Sequence, residues 1–142
     1  MKPVIDCIRT YLCGFPLLKE GLFGVDYLGR DATEYTVEAV PCDPVFRQYT
    51  DGGCMKQFLF LFASREWYSA DAAQNTDNLA FYEELERWIR QNNLAGNLPD
   101  LDGREANSIE VLTSGYAFDA DSSTARYQIQ LRLTYFDKEE SQ

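Results

Sequence analysis

Hydrophobic and polar positions change period several times along this chain, and each change marks an expected element. In residues 3–13, Val4, Ile5, Ile8, Tyr11 and Leu12 recur at helical spacing. Pro3 suits the first turn of that helix and Gly14 its end. Residues 22–28 and 34–40 are short β-rich runs split by Gly29-Arg30-Asp31, which predicts a hairpin or a turn between neighbouring strands. In the second run Tyr35, Val37 and Ala39 alternate with Glu34, Thr36 and Glu38, so one face is expected to be wet. Pro41 and Pro44 then interrupt any ladder, because neither can donate a backbone hydrogen bond.

Residues 45–68 carry the clearest strand signal, a β-hairpin turning at Asp51-Gly52-Gly53. Its second arm becomes apolar on both faces after Gln57, through Phe58, Leu59, Phe60, Leu61 and Phe62, the pattern of a central strand covered on each side. Residues 77–93 switch to helical spacing, with Phe81, Tyr82, Leu85, Trp88 and Ile89 in one stripe and charged residues opposite. A loop over residues 96–104 follows. Two final strands, residues 108–118 and 124–136, are joined by a polar turn containing Asp119 and Asp121. In the last one Tyr127, Ile129, Leu131, Leu133 and Tyr135 face the core, and Arg126, Gln128, Gln130, Arg132 and Thr134 face away. Residues 138–142 form a charged tail.

The expected fold is therefore α+β, a mostly antiparallel sheet of about five to six strands with two helices packed on it. At 142 residues the chain suits a single domain, 1–142, with one core. Composition narrows the function. The 23 Asp and Glu against 13 Lys and Arg leave a formal charge of −10, which disfavours specific nucleic-acid binding. Histidine is absent, which removes the commonest general base, and the four cysteines form no Cys-x-x-Cys pair. No nucleotide-binding glycine loop occurs, and Asp100-Leu101-Asp102-Gly103 departs from a calcium loop because Glu105 stands where its sharp turn needs glycine. No apolar run is long enough to span a membrane. These observations suggest no catalytic residue, no metal and no cofactor. They point to a protein that acts through its surfaces in a reducing cytoplasm. Trp67 and Tyr68, at the start of a polar stretch, are candidate contact anchors.

Three segments together resemble a known family: Tyr49-Thr50-Asp51-Gly52-Gly53 with residues 57–66; Asn75 with Phe81-Tyr82-Glu83; and residues 112–119 with 125–130. They resemble the small minor capsid proteins of tailed phages and prophages of Gram-positive bacteria. Size and element order are similar to those of phage tail terminators. That resemblance implies a virion protein at the head–tail junction or tail end, assembled in the host cytoplasm. It also implies a homo-oligomer, such as a hexameric ring, with a tail-tube protein and a head-completion or neck protein as partners. On this reading Trp67, Tyr68, Arg126, Gln128, Gln130 and Arg132, with the 96–104 loop, are interface candidates. Asp119 and Asp121 are candidate lumen acids that would repel passing DNA. A head-completion or connector protein is the alternative, and a small-molecule-binding or enzymatic α+β domain would need a deep pocket with convergent polar groups.

Overall fold

A computed structural model describes residues 2–19, 22–49, 53–120 and 123–137. Among these residues the order is α1 (Val4–Leu12), β1 (Phe23–Val25), β2 (Glu34–Val40), β3 (Val45–Gln48), β4 (Cys54–Trp67), α2 (Ala72–Ala95), β5 (Glu105–Ala120) and β6 (Thr124–Asp137). The strands form one six-stranded sheet in the order β1-β2-β4-β6-β5, with β3 also paired to β4. All pairings are antiparallel except β1 with β2. The α+β architecture is as expected.

β4 is the axis of the sheet. It runs beside β6 in unbroken register from Cys54 opposite Asp137 to Trp67 opposite Thr124. On its other side β3 takes the first part and β2 the second, from Val40 opposite Leu59 to Glu34 opposite Arg65. Phe60 and Phe62 project from β4 into the core beside Tyr35, Val37, Ile129 and Leu131, all buried. The helices roof this face. Phe81 and Tyr82 of α2 lie 6.4 and 6.0 Å from Phe62 between ring centroids, and Trp88 of α2 meets Tyr11 of α1 at 5.3 Å. Arg9 of α1 ties the short β1 to this layer, its Nε donating to the Phe23 carbonyl at 2.8 Å.

The structure corrects four expectations. β1 and β2 are parallel neighbours, not a hairpin, because the chain between them crosses back before re-entering the sheet: Asp26, at φ 54°, donates its N–H to the Val37 carbonyl, and its carboxylate accepts from the Ala39 N–H at 3.2 Å. On β2 Tyr35 and Val37 are dry as expected, but two positions depart from the expected alternation. Thr36 is buried, its hydroxyl accepting from the Tyr27 N–H at 3.2 Å, whereas Ala39 is exposed. The helix expected over residues 77–93 begins at Ala72, capped by the Asp71 carboxylate, which accepts from the Ala73 N–H, and ends at Gly96 with φ 76°. Its first turns carry no apolar stripe to announce them. In the expected 51–53 turn, Asp51 and Gly52 lie outside the described residues, as does the 138–142 tail; the Tyr49 N–H donates to the Gly53 carbonyl at 2.9 Å.

The fourth correction concerns β4, expected to be covered on both faces. The helices cover one side, and on the other only part of the strand is buried, at Met55 and Ala63. Leu59 and Leu61, on the other face, are partly exposed.

Polar groups are also threaded through the covered layer. The Tyr82 hydroxyl sits 2.7 Å from Ser64 Oγ and donates to the Tyr127 carbonyl at 3.0 Å. Nearby Glu66 is buried, with Thr33 Oγ1 donating to its carboxylate at 3.5 Å. Burial pushes the Glu66 carboxyl above its usual range, while hydrogen bonds from Ser64 and Thr33 and the charge of Lys19 pull the other way. A carboxyl raised in the folded state contributes stability below its unfolded pKa that is lost as pH rises through the folded value. Glu66→Gln should therefore be more stable than the parent at neutral pH, with the gap shrinking on acidification. Urea midpoints at about pH 4 and pH 8 measure this; a gap independent of pH would contradict it. α2 also presses close on β5, so that a Cβ on Gly115 would fall 2.4 Å from Tyr82 Cβ. Gly115→Ala should cost about 1–3 kcal/mol in urea unfolding through overpacking.

Candidate functional site on the open sheet face

Strand alternation and register decide which side chains share the uncovered face. Opposite pairs place Thr36, Glu38 and Val40 of β2 beside Ala63, Leu61 and Leu59 of β4, and these beside Gln128, Gln130 and Arg132 of β6. β5 adds Asp119, Tyr116, Thr113 and Glu110, opposite Arg126, Gln128, Gln130 and Arg132. The four polar residues expected to share a face of the last strand do so. They are neither bare nor independent.

Arg126 is the centre of one network. Its Nη1 and Nη2 donate to Glu38 Oε2 and Oε1 at 3.0 and 2.7 Å, a bidentate fork that spans β4 from β6 to β2. Its Nε donates to Gln128 Oε1 at 3.1 Å, and Gln128 Nε2 donates to the Tyr116 hydroxyl at 2.7 Å. The guanidinium also lies 5.7 Å from the centroid of Phe118. Gln128 is consequently buried, although it faces away from the helices. Ala63, on the open face of β4, is fully buried as well.

A second network sits at the other end. Arg132 Nη2 donates to Glu110 Oε2 at 3.0 Å, and its guanidinium lies 5.2 Å from the Phe46 centroid. No described group accepts from the buried Arg132 Nε. Between the networks lie Leu59, Leu61, Val40, Thr113 and Gln130, whose N–H donates to Thr113 Oγ1 at 3.3 Å. The face is thus a half-apolar centre flanked by arginines backed by aromatic rings.

The other predicted residues divide. Trp67, at the end of β4 on the open face, is 56% exposed, as a contact anchor would be. Tyr68 instead packs against the core, its N–H donating to the Ser123 carbonyl at 2.9 Å. Asp119 is exposed and shares a cavity with Arg30 and Arg65; Asp121 lies outside the described residues. The 96–104 loop is fastened to the N-terminus, with Asp102 Oδ2 accepting from the Lys2 N–H at 2.7 Å and Leu101 buried. Glu38, Phe46, Glu110, Tyr116 and Phe118 were not anticipated in this face. Phe46 and Phe118 occupy register shifts that no periodicity announces.

No histidine, cysteine, aspartate or glutamate cluster able to hold a metal occurs among the described residues, and no helix among them is long and apolar enough to cross a membrane. No protein-family model matches the chain, and no curated protein matches it.

Arg126 and Glu38 have side chains only 16% and 25% exposed, so each would be left poorly solvated without the other. Arg126→Ala should lower stability by about 1–3 kcal/mol. Arg87→Ala, which breaks a pair with Glu84 on the exposed face of α2, should change it by less than about 1 kcal/mol. Chemical denaturation of both variants, with equal losses as the contrary result, tests this ranking.

Proposed function

We propose that this chain is a structural protein of a phage or prophage virion, a tail terminator or minor capsid protein at the head–tail junction or tail end. It works by assembling into a ring of identical copies and meeting tail-tube and neck proteins. The virion assignment rests on the resemblance of the three sequence segments. The assembly reading rests on one structural observation: β4 is apolar on both faces, and the chain's own helices cover one of them.

Leaving Leu59 and Leu61 partly in water is unfavourable, and a second surface laid over them would remove that area from solvent. The surroundings suit a protein partner. Arginine and aromatic side chains, here Arg126, Arg132, Phe46, Tyr116, Phe118 and Trp67, are the types enriched in interface cores. The occupant we assign is a second copy of this chain. A ring requires a contact between two different surfaces that closes on itself, so the partner surface is a different patch of the neighbouring copy.

Two experiments test the reading at separate levels. Leu61→Glu should leave the circular dichroism spectrum unchanged and abolish self-association in sedimentation velocity; undiminished association would exclude this face. Particles from a strain lacking the gene should show tails of uncontrolled length beside full, unattached heads by electron microscopy. Normal virions would exclude the terminator role.

A further inference from the structure

At the end of the sheet that carries Trp67, Arg30, Arg65, Asp119, Ala120 and Thr124 line an open cavity of about 440 Å³. It brings together the loop after β1, the last residues of β4, the end of β5 and the start of β6. Two arginines, Arg30 and Arg65, line it, and neither forms an ion pair with any described carboxylate. In a chain with ten more acids than bases that is unexpected on charge balance alone.

The geometry explains why Arg65 is left over. Its cross-strand neighbours are Glu34 on β2 and Arg126 on β6. Arg126 has taken Glu38 in its bidentate fork. Glu34 has its carboxylate turned against Gly29, so closely that a Cβ on Gly29 would fall 1.6 Å from Oε2, an oxygen that is buried without a hydrogen-bond partner. Arg65 Nε donates to the Gly29 carbonyl at 3.4 Å, and no described group accepts from its two terminal nitrogens. The adjacent Arg126 adds like-charge repulsion to the site.

We infer that this cavity is a carboxylate-binding site, in which the Arg65 fork and Arg30 take a singly charged carboxylate with the Thr124 hydroxyl beside it. Arginine's planar donors match a carboxylate bidentately. One carboxylate group brings a single charge beside Asp119 where a phosphate group brings up to two, and a nucleic acid would bring a dense polyanion against a chain of charge −10. The carboxylate has two available sources: a free small acid, or an Asp or Glu side chain of a neighbouring copy. The site itself stands independently of the virion reading.

The probe is succinate, titrated into the full chain by calorimetry and by NMR of the arginine Nε–H signals. Saturable binding is expected, with Arg30→Ala and Arg65→Ala each weakening it about tenfold, the loss of one charge-assisted pair. Arg65→Lys should fall between parent and Ala, because it keeps the charge and loses the fork. Arg87→Ala, a cation removed from α2, should bind as the parent does, and circular dichroism confirms that each variant folds. Sedimentation in succinate separates the sources: dissociation of oligomers, matched by Arg65→Ala alone, marks a neighbour's side chain, and unaltered association with intact succinate binding marks a free acid. Absence of saturable succinate binding, phosphate bound in preference to succinate, or affinity in Arg30→Ala and Arg65→Ala undiminished from the parent's would overturn the inference. Monomeric chain that still binds succinate would refute ring assembly and leave this site standing.

Discussion

Everything in this molecule is arranged around a strand that water cannot comfortably face from either side. β4 carries Phe60 and Phe62 inward and Leu59 and Leu61 outward, and it is paired along all fourteen of its residues with β6. The inward rings set where α2 must lie, since Phe81 and Tyr82 stack over Phe62, and α1 follows by packing Tyr11 on Trp88. The sheet's helical layer is then complete. The outward leucines stay partly exposed, so the same hydrophobic pattern that organises the core leaves a surface whose further burial would be favourable.

The sequence made some of this legible and hid the rest for physical reasons. The alternation of Tyr127 to Tyr135 against Arg126 to Arg132 reports directly on β6, because period two is the geometry of a strand with two unlike environments. The same logic misjudged part of β2. Alternation registers which residues share a face, whereas Thr36 takes its burial from a chain segment that arrives from elsewhere, the Asp26 crossing. The first turn of α2 escaped notice because it is stabilised by a cap at Asp71, a local hydrogen bond that leaves no hydrophobic period behind.

The candidate site shows the same division. That Arg126, Gln128, Gln130 and Arg132 lie side by side is a one-strand statement and could be read from the chain. Their partners could not, because Glu38 is 88 residues from Arg126 in sequence and reaches it only across β4. Nor could the aromatic backing. Phe46 and Phe118 sit at irregularities where β3 and β5 slip register, and a bulge re-aims a side chain without altering the composition around it.

Pre-pairing of these charges bears on how such a face can be covered. An isolated arginine on an assembly surface must shed water as the partner arrives, and the lost hydration can exceed what the new contact returns. Arg126 has already exchanged most of its water for Glu38, Gln128 and the Phe118 ring, and Arg132 for Glu110 and Phe46. A neighbouring surface could therefore settle over the central leucines without stranding a charge at either end, and without first freezing long flexible side chains. Arg65 is the exception, since its neighbours are committed elsewhere and its terminal nitrogens remain unmatched. The face thus combines a largely pre-paired region suited to being covered with the unpaired Arg65 fork suited to selecting what covers it, and specificity of contact would be concentrated at the Arg65 end of the sheet.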